Sequence, residues 1–153
     1  LVLVGVLVVF MWPRGAKVDG VHVVDVAAPI AAARQQSGFA VLAPRGLSDQ
    51  WRPTSTRLIP TGPSSGASFR IGYVSPSGKY AELVESNDAP DAVAAEYGPL
   101  AVAGTTVIGG TSWQQYRTND DRRLLRHTAA RVTVIVTGSA SQSELIELAS
   151  SLH

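Results

Sequence analysis

From residue 54 to residue 138 the chain is written mostly in a period of two, and that rhythm restricts its fold more than any other feature. Residues 54–60, 68–75 and 79–86 alternate in the manner of half-buried strands, and the last two are joined by Ser-Pro-Ser-Gly at 75–78, where Pro76 and Gly78 supply turn geometry. Phe69, Ile71 and Tyr73 fall on one face of the middle strand. Four further runs follow at 105–110, 112–118, 122–128 and 130–138, parted by turn material such as Asn-Asp-Asp at 119–121. In the last of them Val132, Val134 and Val136 share one face, and Arg131, Thr133 and Thr137 share the other. Consecutive strands joined by short turns pair antiparallel.

Helical signals sit before, between and after these strands. Ala-Pro-Ile-Ala-Ala-Ala-Arg-Gln-Gln-Ser-Gly at 28–38 has Pro29 in a first turn and Gly38 where a helix ends left-handed. Residues 89–99 repeat that plan in miniature, with Asp88 as the expected N-cap, Pro90 early and Gly98 at the end. The closing stretch, 141–153, carries Ser141 and Glu144 at capping-box spacing and an apolar stripe of Leu145, Leu148 and Leu152. The expected class is α+β: one domain over 27–153 with a mostly antiparallel sheet, its helices covering one face. Residues 14–26 read as a tether that becomes a first strand near 21–26.

Ahead of the tether, residues 1–10 are apolar at every position except for a single glycine, with neither strand alternation nor helical periodicity, and Trp12, Pro13 and Arg14 follow. An interfacial aromatic, a helix breaker and a charge, in that order, are what a membrane exit requires. Leu1, Val4, Leu7, Phe10, Met11 and Trp12 are therefore read as a membrane anchor within residues 1–13. Twelve residues of helix reach about 18 Å against about 30 Å of hydrocarbon, so part of the span is expected upstream of Leu1. A cleaved signal peptide, which calls for small residues at the end of the run, and a buried core strand are the competing readings. Arg14 and Lys17 on the visible flank argue for a cytoplasmic side.

Chemistry-bearing patterns are sparse. The chain has no cysteine, which excludes thiol catalysis, cysteine-based zinc sites and disulfides. Its 13 basic and 12 acidic residues nearly cancel, so no strong field draws it to nucleic acid. Gly62-Pro63-Ser64-Ser65-Gly66 satisfies the G-x-S-x-G pattern, but a nucleophile elbow needs a helix after the serine, and a strand is expected there instead. His22, His127 and His153 show no metal-ligand spacing, and no cofactor or metal is expected. Asp120 and Asp121 suit a hairpin tip. Arg117, Arg122, Arg123, Arg126 and Arg131 form the densest basic region, which reads first as a solvated sheet face and second as a patch for anionic headgroups. The glycines of residues 101–113 lack phosphate-cradling spacing and read as strand and bulge. Trp51, Trp113, Tyr116, Arg122 and Arg126 are the candidate interaction residues, with core packing the commoner role for the aromatics.

Taken together, the apolar leader, residues 39–58 (FAVLAPRGLSDQWRPTSTRL), residues 69–83 (FRIGYVSPSGKYAEL), Gly110-x-x-Trp113 and residues 132–152 (VTVIVTGSASQSELIELASSL) resemble a family of actinobacterial membrane-anchored proteins, the domain of unknown function 4245. The most specific piece is Pro44-x-Gly46-Leu47 leading to Trp51. The resemblance covers nearly the whole chain and implies a single-pass anchor in the inner membrane with the domain on its extracytoplasmic side, against the flank signal. It supplies no catalytic residue. The function expected is a non-catalytic accessory or interaction domain of the cell envelope, contacting the bilayer through its leader and another membrane protein or complex through its sheet. A lipid or apolar-ligand binding module is the alternative, and a hydrolase using Ser64 stands third.

Overall fold

Seven strands form one sheet, and every neighbouring pair in it is antiparallel. The computed structural model describes residues 20–61 and 66–153. In chain order the elements are α1 (Ala27–Gln36), β1 (Arg52–Pro60), β2 (Ala67–Val74), β3 (Tyr80–Ser86), α2 (Pro90–Ala95), β4 (Leu100–Ile108), β5 (Thr111–Thr118), β6 (Arg123–Ala129), β7 (Val132–Gly138) and α3 (Gln142–Ser150). The spatial order is β1-β2-β3-β7-β6-β5-β4. Two meanders, β1 to β3 and β4 to β7, thus lie side by side and join where β3 pairs β7. Because the connection through α2 carries the chain to the far edge before it winds back to the centre, β1 and β4 are the two edges. The chain is a single α+β domain. No described helix is long and apolar enough to cross a membrane, and residues 1–13 lie outside the described part.

Local sequence explains most of these elements. Ser141 caps α3 by accepting from the Glu144 N–H, and the Glu144 carboxylate accepts from the Ser141 N–H at 3.0 Å, completing the expected capping box. Leu145, Leu148 and Ala149 then face the sheet, while Leu152 falls just past the helix in an antiparallel bridge with Pro44. Paired bonds between Ala43 and His153 and one from the Arg45 N–H to the Ser151 carbonyl fix residues 43–45 against the end of the chain. Pro44-x-Gly46 is therefore a structural clasp, with Gly46 at φ +75° making the turn.

Two helices lie on one face of the sheet and one on the other, which corrects the expectation that all cover a single face. Ile30 and Ala33 of α1 and Leu145 and Leu148 of α3 pack with Phe69, Ile71, Tyr73, Leu83, Leu125, Val134 and Val136. Val93 of α2 packs on the opposite side with Val84, Leu124 and Ile135. The central strands are covered on both sides, so Thr133 and Thr137, polar as they are, are buried like Val134 and Val136 of the opposite face. Two local expectations also change. Residues 21–26 form no strand: the Val24 N–H donates to the Pro53 carbonyl at 2.9 Å, but proline has no N–H to return, and the ladder stops at one bond. Asp88 does not cap α2: Ala89 holds that position with no side-chain bond, because Pro90 at the first helical position forces the residue before it into extended geometry.

Candidate interaction site

β4 is the least covered element of the sheet. Of its nine residues only Ile108 is buried, and Val102 and Val107 are 81% and 70% exposed. No charged residue occurs between Glu96 and Arg117, a stretch that spans all of β4 and most of β5. A bulge between Val102 and Gly104 leaves Ala103 as the extra residue, as the strand-and-bulge reading of this segment expects. Beyond it the strand runs regularly to Gly109 and Gly110, whose φ values of +55° and +81° make the two-residue hairpin turn into β5. By register, Val102 stands beside Tyr116 and Thr105 beside Gln114, on the face that carries α2.

Next to this edge, Asp91, Ala94, Ala95, Gly98, Leu100, Tyr116 and Arg126 line a solvent-open cleft of about 280 Å³ between α2 and the sheet. Arg126 is the basic residue of that lining. The guanidinium lies 5.1 Å from the centre of the Tyr116 ring, donates to the Gln114 Oε1 at 2.8 Å and to the Tyr116 hydroxyl at 2.8 Å, and stands 3.6 Å from the wholly exposed Asp91 carboxylate. Two of the five candidate interaction residues, Tyr116 and Arg126, are thus brought together beside β4. Arg122 is elsewhere, at the β5–β6 turn, where its Nε donates to Asp120 at 2.7 Å. Trp51 and Trp113 are each 4% exposed. Trp51 meets Tyr73 edge-on at 6.0 Å and Trp113 lies 5.5 Å from the tilted ring of His127, so both rings belong to the core and neither faces solvent.

The arginine run makes no single basic face. Strand alternation sends Arg126 to the α2 side and sets Arg117 opposite Arg123 on the other. Arg117 pairs with Asp121 at 2.8 Å, and Arg122 with Asp120, so two of the three arginines at the hairpin tip meet an acid there. Asp121 takes φ +60°, a turn conformation that aspartate tolerates. His22 and His153 are exposed, and no group of three potential metal ligands occurs among the described residues. Residues 62–65, which carry Ser64 and most of the G-x-S-x-G pattern, lie outside the described part, as do Leu1, Val4, Leu7, Phe10, Met11 and Trp12.

Two polar groups went unnoticed in the sequence. Glu85 is wholly buried; one carboxylate oxygen accepts from the Leu42 N–H at 2.7 Å and the other has no partner. Burial pushes this carboxyl up to about 7, although the Leu42 bond and nearby Arg34 pull the other way. It does not line the cleft, and its geometry is that of a tie holding residues 39–43 onto β3. The signal was present: Ala81, Leu83 and Glu85 share one face of β3, and the third member is an acid where an apolar residue belongs. On the other face Arg70 bonds Glu96 and stands 3.8 Å from Glu82, and the Tyr97 hydroxyl donates to Glu82 at 3.3 Å, which stitches the end of α2 to β2 and β3. Desolvation raises the Glu82 carboxyl, with Arg70 opposing.

No curated protein and no solved structure matches this chain. A family model described as a protein of unknown function, DUF4245, matches residues 1–152, and the chain belongs to that family.

Proposed function

We propose that the protein is a non-catalytic accessory domain of the cell envelope, tethered to the inner membrane by its apolar leader with the folded part on the extracytoplasmic side, and that it works by contact with another membrane protein or complex. The observation that carries this reading is β4: a long edge strand, uncharged, with two exposed valines, left open where soluble monomers usually blunt such an edge with charge. The Arg126–Tyr116 cleft beside it adds a rigid cation and an aromatic, the residue types that dominate protein contacts. An open cleft of this shape favours surface contact over an enclosed lipid. The leader supports the tether by its composition and by the aromatic, proline and arginine that follow it.

Isolation of the full chain from native membranes in mild detergent, followed by crosslink mapping, tests this directly. Co-isolation of a defined set of membrane proteins with crosslinks on β4 and around Arg126 is expected. Recovery from the aqueous fraction, or as a free monomer without crosslinks, would overturn it.

A further inference from the structure

Arg126 is a cation held in place without being neutralised. Its Nε and Nη2 both donate to the Gln114 Oε1, at 3.2 and 2.8 Å, and Nη2 donates also to the Tyr116 hydroxyl. That hydroxyl donates in turn to the same Gln114 oxygen at 2.8 Å, which closes a ring of three side chains across β5 and β6. Both partners in the ring are neutral. It therefore fixes the plane of the guanidinium and occupies its Nε–Nη2 edge, but leaves the charge itself unmatched.

Nη1 carries two N–H groups and donates no hydrogen bond among the described residues. Its nearest acid is Asp91 at 3.6 Å, beyond hydrogen-bond reach and wholly exposed, whereas the Arg126 side chain is 16% exposed. A partly desolvated cation facing a fully hydrated anion is a weak pair. Arg70, on the same face of the sheet, shows the contrast: it is covered to a similar degree but bonds Glu96 and stands beside Glu82. Arg126 and Asp91 both line the cleft, and the rest of its wall is Ala94, Ala95, Gly98, Leu100 and Tyr116. At about 280 Å³ the cleft is smaller than the roughly 300–1,000 Å³ of pockets for drug-sized ligands, and suits one side chain.

We propose that the cleft is a carboxylate site: an aspartate or glutamate side chain of the partner protein displaces Asp91, accepts from the Arg126 Nη1, and lays its stem against Ala94, Ala95 and Leu100. The inference rests on the interaction reading for a protein partner and names the group that partner offers. A guanidinium already planar and oriented loses little freedom on meeting a carboxylate, and the apolar wall strengthens the pair by excluding water. A phosphate dianion suits the site less well. One cation cannot match two charges, no second basic residue lines the cleft, and Asp91 stands within it.

Titration of the isotope-labelled full chain in mild detergent with sodium acetate, followed by nuclear magnetic resonance, tests the site without the partner. Saturable shifts centred on the Arg126 Nε–H and the Gln114 side-chain amide are expected, absent with sodium chloride at equal ionic strength and weaker with inorganic phosphate. Arg126→Gln should abolish them. Asp91→Asn, at a wholly exposed position, removes the competing acid and should tighten acetate binding about two- to fivefold. In isolation from native membranes the same variants should move the yield of partner in opposite directions, up for Asp91→Asn and down at least about tenfold for Arg126→Gln. A response no different from that to chloride, a stronger response to phosphate than to acetate, or acetate binding unchanged or weakened by Asp91→Asn would overturn the carboxylate site. A partner recovered equally with all three forms would overturn the proposal alone; no membrane protein recovered with any of them would overturn the interaction reading, and with it the source of the carboxylate.

Discussion

Replacing Glu85 with glutamine should stabilise the protein at alkaline pH and remove a specific part of its pH dependence. Glu85 is wholly buried with one unpartnered oxygen, and burial lifts its carboxyl from the ordinary 4.5 to about 7. The folded state therefore holds a proton that the unfolded state has already released. Unfolding free energy falls with pH wherever the native state binds more protons, so stability present below about 4.5 is lost as pH rises through 7. The gap between the two values corresponds to about 3 kcal/mol, of which about 2 kcal/mol should disappear between pH 5 and pH 8. Glutamine keeps the oxygen that accepts from the Leu42 N–H and cannot ionise. Urea unfolding of the wild type and Glu85→Gln at intervals from pH 5 to pH 8 isolates the effect, because every other titrating group is common to both. The difference should swing by about 2 kcal/mol in favour of the variant as pH rises. Parallel curves across that range would refute the claim that burial holds the Glu85 carboxyl protonated well above its ordinary range in the folded state.

Other outcomes follow from the same structure. The Glu144 carboxyl is partly desolvated, which raises it, but bonds from the Ser141 N–H and from the Ser77 N–H and hydroxyl hold it down to about 2. Its stabilisation is present above about 4.5 and lost as pH falls toward 2, so Glu144→Gln should flatten the acid limb of the stability curve. Ser141→Ala should cost about 1 kcal/mol through loss of the α3 cap, measured by thermal or urea unfolding. Gly138→Ala should cost at least about 2 kcal/mol, because φ is +145° and a Cβ there would enter the Tyr80 carbonyl on the neighbouring strand. Trp51→Ala should cost about 3 to 5 kcal/mol, whereas Val102→Ala should stay within about 0.5 kcal/mol, separating the buried aromatic from the exposed edge.

How far the residues themselves announce this fold depends on how local the determining physics is. The closing helix, the antiparallel hairpins and the helix of Ala27–Gln36 follow from caps, turns and alternation within about a dozen residues, and these are readable one segment at a time. The placement of α2 on the opposite face is set by the topological crossing from β3 to the far edge, which no local pattern records. Thr133 and Thr137 look solvent-facing in isolation and are buried because β7 lies at the centre of the sheet. Residues 21–26 have strand composition, yet the strand fails at Pro53, a residue nearly thirty positions away. Of the candidate interaction residues, Tyr116 and Arg126 meet because β5 and β6 pair in a register that aligns Gln114 with Arg126, while Trp51 and Trp113 are drawn into the core by their area. The exposed β4 edge was visible only as an uncharged glycine-rich stretch until strand order made it an edge.

The most direct measurement places a photoreactive amino acid at Val102 on β4 or at Ser55 on β1 and irradiates intact membranes carrying the full chain. Both positions are exposed, so access to a random neighbour is comparable. Defined adducts from Val102, with few from Ser55, are expected if β4 is the working surface. Adducts of similar yield and pattern from the two edges, or none from Val102, would contradict it.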